Sequence, residues 1–182
     1  MYLANGQDPE HGEGYGMLWC VDITGKGDVS AELGEIGQPG KPNPNSKVVW
    51  QFDKFDLHHD GKFQRAEHMN RTISSAAIDP DTHLLFIPDF SGIVHCFDTE
   101  TGQMYWTHDL ESATWSSPLV CDGKVFVTDE DGDVLVFAAS RQKRLLAKNE
   151  IADARSYCSP IVANGVLYIT YRDRLIAVQN PR

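Results

Sequence analysis

The chain has 182 residues, enough for one domain with a core of its own. Its 26 Asp and Glu outnumber its 16 Lys and Arg, for a formal net charge of -10. That balance leaves no basic stripe for a nucleic acid, and no apolar run approaches membrane-spanning length.

Taken in chain order, Met1-Tyr2-Leu3-Ala4 already reads as a strand, and Gly16-Met-Leu-Trp-Cys-Val-Asp22 as the next. Gln7 to Tyr15 enlarges the hairpin between them. Ile23 to Lys47 is rich in Pro, Gly and Asn, has no periodicity, and is predicted to loop out between blades. After the strand Val48-Val-Trp50-Gln comes a third long stretch, Asp53 to Arg71.

From Val48 onward a unit recurs about every forty residues, the period of a propeller blade. Its first copy reads Val48-Val-Trp50-Gln, Ser75-Ala-Ala-Ile, Leu84-Leu-Phe-Ile and Gly92-Ile-Val-His-Cys-Phe-Asp98. The second reads Met104-Tyr-Trp106-Thr, Ser117-Pro-Leu-Val, Lys124-Val-Phe-Val and Gly132-Asp-Val-Leu-Val-Phe-Ala138. The third reads Leu145-Leu-Ala147-Lys, Ser159-Pro-Ile-Val, Val166-Leu-Tyr-Ile and Asp173-Arg-Leu-Ile-Ala-Val-Gln179.

Short alternating strands separated by turns predict an all-β fold, a β-propeller of four-stranded antiparallel blades. The strand count gives a partial propeller of about three and a half blades. The expected division is a half blade over 1–22, an insertion over 23–47, and blades over 48–98, 99–138 and 139–182. The strands of Trp50, Trp106 and Ala147 are expected innermost, and those of Cys20, Cys96, Val136 and Ala177 outermost. On this count the chain is the C-terminal part, or a cut piece, of a longer protein. Its partners are then the remaining blades or another protein, and its open blade edges can self-associate.

One phrase carries a specific resemblance. Cys96-Phe-Asp98-Thr-Glu-Thr101-Gly102-Gln-Met-Tyr-Trp106 is similar to the tryptophan-docking motif Ala-x-Asp-x-x-Thr-Gly-x-x-x-Trp of the pyrroloquinoline-quinone (PQQ)-type propeller repeat, with Cys in place of Ala. That family includes quinoprotein dehydrogenases and the outer-membrane assembly lipoprotein. A degenerate copy, Cys20-Val-Asp22-Ile-Thr24-Gly25, is separated from its Trp50 by the long insertion. The resemblance makes Asp98, Thr101, Gly102 and Trp106 structural residues that hold blades together. It also implies a periplasmic or otherwise exported location.

For an enzyme the family implies a quinone held against a disulfide of adjacent cysteines, with calcium and an Asp base beside it. No two of Cys20, Cys96, Cys121 and Cys158 are adjacent, and none follows a metal or haem spacing. No serine lies in a nucleophile elbow. The leading expectation is therefore a non-catalytic binding or assembly scaffold with no cofactor. The alternative is part of a PQQ-dependent oxidoreductase, with PQQ and calcium bound by blades outside this chain.

Binding function is expected on the long insertions. Antiparallel strands send alternate connections to opposite ends, so the insertions around His11 and around His58 should share one face and 23–47 should lie on the other. That gathers His11, His58, His59 and His68 as candidate metal ligands. Arg71 and Arg155 hold equivalent repeat positions on the same face, where a guanidinium would meet anions. Trp115 and Tyr157 are likewise equivalent, and aromatics at matched repeat positions are expected to pack between blades.

Overall fold

The computed structural model describes residues 1–6, 15–35, 38–56, 58–151 and 153–179. Fourteen strands form four antiparallel sheets, with a short hairpin of two more. The first sheet holds β1 (Tyr2–Asn5), β2 (Met17–Val21) and β5 (Val48–Phe52), and the hairpin β3 (Glu32–Leu33) and β4 (Lys41–Pro42) lies between its last two strands. The second holds β6 (Ala77–Asp79), β7 (Leu84–Pro88), β8 (Ile93–Asp98) and β9 (Met104–Asp109). The third holds β10 (Leu119–Cys121), β11 (Lys124–Thr128), β12 (Val134–Ala138) and β13 (Leu145–Asn149), and the fourth β14 (Ile161–Ala163), β15 (Val166–Thr170) and β16 (Leu175–Gln179). Arg65–Glu67 is a single 3-10 turn, the one helical element among the described residues.

The hydrogen-bonded sheets correct the expected blade boundaries. Trp50 pairs with Cys20, Trp106 with Cys96 and Ala147 with Val136, so each of these strands closes the sheet of the strand before it. The sheets therefore cover 2–52, 77–109, 119–149 and 161–179, not 1–22, 48–98, 99–138 and 139–182. Segment 23–47 lies within the first sheet, between β2 and β5, instead of between blades. The physical reason is the tightness of the turn. Asp98 N–H donates to the Gln103 carbonyl at 2.8 Å, so the chain doubles back at once onto the strand it has just left. A packed neighbouring sheet, about 10 Å away, is out of reach of so short a turn.

The radial order is reversed as well. The first strands β6 and β10 of neighbouring sheets approach one another. Beside them Ser74 Oγ donates to the Ser116 carbonyl at 2.8 Å, Ser75 N–H to Ser117 Oγ at 2.9 Å, and Ser117 N–H to Ser159 Oγ at 2.8 Å. This ladder ties the sheets along the inner rim, which places the tryptophan strands on the outer rim.

Alternation along the strands builds the seams between sheets. Leu18, Cys20, Trp50 and Phe52 of the first sheet pack on Leu85, Ile87, Phe97 and Met104 of the second. The opposite face of the second, with Phe86, Val94, Cys96 and Trp106, packs on Val125, Val127, Leu135 and Phe137 of the third. Strands β7 and β8 are buried at every position, because sheets cover both of their faces.

Each of these two seams carries an indole, while the seam between the third and fourth sheets is built from Val134, Ala154, Ile169 and Tyr171. Trp50 Nε1 donates to the Thr99 carbonyl and Trp106 Nε1 to the Ser140 carbonyl, both at 2.9 Å, reaching from one sheet to the turn of the next. Gly102 has φ +72°, and a Cβ there would lie 2.6 Å from the Trp50 ring. Glycine thus serves both the turn and the close approach of the indole. Asp98 organises this turn by accepting from the Thr101 and Glu100 amides and from the Thr101 and Tyr105 hydroxyls. Burial opposes its ionisation, but the hydrogen bonds from Thr101, Tyr105 and Glu100 prevail and hold the carboxyl below its usual range.

Candidate binding face

The β7–β8 and β11–β12 turns and the segments that lead into each sheet meet on one face. Phe90 N–H donates to the Arg71 carbonyl, Glu130 N–H to Ala113 and Arg172 N–H to Arg155, at 2.8 to 2.9 Å. The first sheet joins the same face, with Gly16 N–H donating to the Met69 carbonyl at 2.7 Å and Tyr15 bridging Asn70. The chain around His58 thus lies on the face where Tyr15 and Gly16 lead into β2, while 23–47 leaves from the other end of β2, where Asp22 N–H meets the Lys47 carbonyl.

The 53–71 insertion folds back on itself. Met69 N–H donates to the Asp53 carbonyl and Phe55 N–H to that of Glu67, which buries Met69 and Glu67 completely. His68 stacks flat on Tyr15, with ring centroids 3.8 Å apart, and tilts against Phe63. Burial first, and then the charge of Lys54, lower its pKa. His58 and His59 are exposed on the turn that Asp56 caps by accepting the Asp60 and Gly61 amides. His11 lies outside the described residues. No group of three or more His, Cys, Asp or Glu side chains is placed to hold a metal ion among the described residues.

The aromatic and cationic side chains form a continuous band. Arg71 lies over the Phe90 ring at 4.5 Å, Phe90 meets Trp115 edge-on at 4.8 Å, and Trp115 meets Tyr157 edge-on at 5.8 Å. Trp115 and Tyr157 remain 42% and 41% exposed, and Tyr15 65%. Glu130 sits among them, accepting from Arg155 Nη1 at 3.1 Å, from the Tyr157 hydroxyl at 3.3 Å and from Trp115 Nε1 at 3.3 Å. At the Arg71 end an open groove of 530 Å³ is lined by Tyr15, Arg65, Asn70, Arg71, Phe90, Ser91 and Ala113. The guanidinium of Arg65 is tied to the Ser91 carbonyl and to Asp109.

Two buried aspartates hold the turns beneath this band. Asp89 accepts from the Ile93 amide and from Asn70 Nδ2, and its second oxygen lies 3.2 Å from His95 Nε2. Asp129 repeats the first contact by accepting from the Asp133 amide, but its Oδ2 has no hydrogen-bond partner. Pairing shows why: His95 opposes Ile87 where Leu135 opposes Val127, so the third sheet puts an apolar side chain in place of the imidazole. Burial, together with the charges of Asp133 and Asp131, pushes the Asp129 pKa up to about 6.

Sequence reasoning singled out Arg71 and Arg155 as surface residues and read Trp115 and Tyr157 as packing between blades, whereas the structure leaves both aromatics half exposed and brings all four into one band. It missed Phe90 and Glu130, which stand at the same place in successive turns. The available clue was a bulky Phe at a turn tip, where Gly, Asn and Asp are usual. The four cysteines are free: Cys20, Cys96 and Cys121 lie on three separate sheets and Cys158 just ahead of the fourth.

Comparison with known proteins places this geometry. The family described as outer membrane protein assembly factor BamB matches residues 42–181. No curated protein sequence matches the chain. Among solved structures, BamB from Moraxella catarrhalis is similar with a TM-score of 0.56 at 17% identity, over 74% of this chain and 38% of that one. Sqt1 of Saccharomyces cerevisiae is similar with a TM-score of 0.55 at 12% identity, over 94% and 42%. The quinohemoprotein alcohol dehydrogenase of Comamonas testosteroni reaches 0.46 at 18% identity, over 54% and 17%. At such identities the likeness to BamB and Sqt1 is one of fold, and the chain spans less than half the length of each of these structures.

Proposed function

Because this chain belongs to the PQQ-like propeller repeat family of outer membrane protein assembly factor BamB, we propose that it is a non-catalytic scaffold that binds a partner protein through the band from Arg71 to Tyr157. One observation carries the reading. The indoles at the seams are buried, Trp106 to 7%, whereas Trp115 and Tyr157 stand half exposed at matched repeat positions and touch one another. Contiguous exposed aromatics flanked by arginines have the composition of binding hot spots. A periplasmic location fits the outer-membrane role in the family's description, and no helix among the described residues is long and apolar enough to cross a membrane.

Photo-cross-linking in cells tests the proposal. A cross-linker placed at Tyr157 should trap a discrete partner, and one at Arg141, in the turn on the opposite face, should not. Equal trapping at both positions, or none at Tyr157, would remove the band from the function.

A further inference from the structure

We infer that the Arg71 groove takes the carboxylate of an extended acidic segment of the partner protein, an inference that rests on the binding face proposed above. The fold already contains one such pairing. Arg155 reaches back to the turn of the preceding sheet and holds the Glu130 carboxylate, to which the Tyr157 hydroxyl and the Trp115 indole also donate. Arg71 occupies the equivalent repeat position at the second sheet. Its guanidinium lies over Phe90 and makes no ion pair among the described residues. Tyr15, with its phenol exposed, lines the same groove.

The charge pattern points the same way. The chain has a net charge of -10, yet the described residues that line the groove include two arginines, of which Arg65 is already paired with Asp109, and no acid. A carboxylate from outside would complete at Arg71 the arrangement that Glu130 completes at Arg155, and a guanidinium pairs best with such a planar anion. The rest of the band sets the form of the ligand. Phe90, Trp115 and Tyr157 follow one another at 4.8 and 5.8 Å. An extended strand advances about 3.3 Å per residue, so alternate side chains meet successive rings to within about an ångström or two. The segment is therefore an Asp or Glu followed by apolar residues at the second and fourth positions.

The test uses two labelled peptides, Glu-Thr-Val-Thr-Val and its Gln-Thr-Val-Thr-Val counterpart, with binding to the full chain read by fluorescence anisotropy. The Glu peptide should bind about tenfold more tightly, and R71Q should erase that difference without weakening the Gln peptide. Equal binding of the two peptides, equal loss of both on R71Q, or binding of neither would overturn the inference. W115A should weaken both peptides. If it does so while charge has no effect, the binding face stands and only its acidic ligand falls. Asp8, Glu10 and Glu13 supply acids of the chain's own. Neutralising all three should leave the Glu peptide within about threefold of its original affinity, and a rise of about tenfold would show that the groove is filled from within and overturn the inference.

Discussion

Asp129 is the residue at which burial and charge are least reconciled. A free aspartate titrates near pH 3.9, whereas Asp129 in the folded chain titrates at about 6. Between those values the folded protein holds a proton that the unfolded chain has lost. Stability therefore falls as pH rises from about 4 to about 6 and stays lowered above that. Asparagine keeps an acceptor for the Asp133 amide without the charge. D129N should be more stable than the parent at pH 7.5 by about 2 kcal/mol, with the gain vanishing towards pH 4. Urea unfolding across this range checks it, and parallel curves for the two proteins would contradict it. Asp89 gives the matching contrast, since Asn70 and His95 engage the oxygen that Asp129 leaves bare.

At the scale of elements, the seams on either side of the second sheet each rest on an indole. W106A removes a side chain packed between Phe86 and Phe137 together with its bond to the Ser140 carbonyl. The expected loss is about 3 to 5 kcal/mol, the range for deleting a large core aromatic. W106F keeps most of the packing and should cost much less. Thermal melting of the pair separates packing from hydrogen bonding, and an unshifted W106A transition would deny the seam its role. The strands themselves were legible in the sequence, because alternation and a period near forty residues leave few other folds. The sheet to which Trp50, Trp106 and Ala147 belong was not, since alternation marks a strand but is silent about which neighbour it bonds. The tightness of the Asp98–Gln103 turn decides that. The candidate face was legible at Arg71 and Arg155, which repeat, while the equally matched Trp115 and Tyr157 read as packing because a repeat marks a position but not its exposure. It was illegible where it breaks the repeat, because Phe90 and Glu130 acquire their meaning only from side chains brought in from other sheets.

At the scale of the whole molecule, the two end sheets each show a bare face. The first presents Leu3 and Trp19 over an apolar hollow of 690 Å³ that segment 27–32 helps to line. The fourth presents Leu175, exposed at 61%, with Ile161 and Tyr168 on the same side. In the interior, the repeat positions of these two faces pack against each other, so the two ends are complementary halves of one seam. Light scattering should therefore show concentration-dependent association of this chain, and L175E should suppress it while leaving the circular dichroism spectrum unchanged. A monodisperse monomer at millimolar concentration would count against that complementarity. The serine ladder has a mechanical consequence of its own. Ties from Ser75 to Ser117 to Ser159 bind the sheets along the inner rim as a spine binds pages. The softest relative motion of neighbouring sheets is then a swing about that spine. Side chains close to it, Trp115 and Tyr157 among them, travel least, and the turn around Ser140 and the hairpin of segment 23–47 sweep the widest arcs.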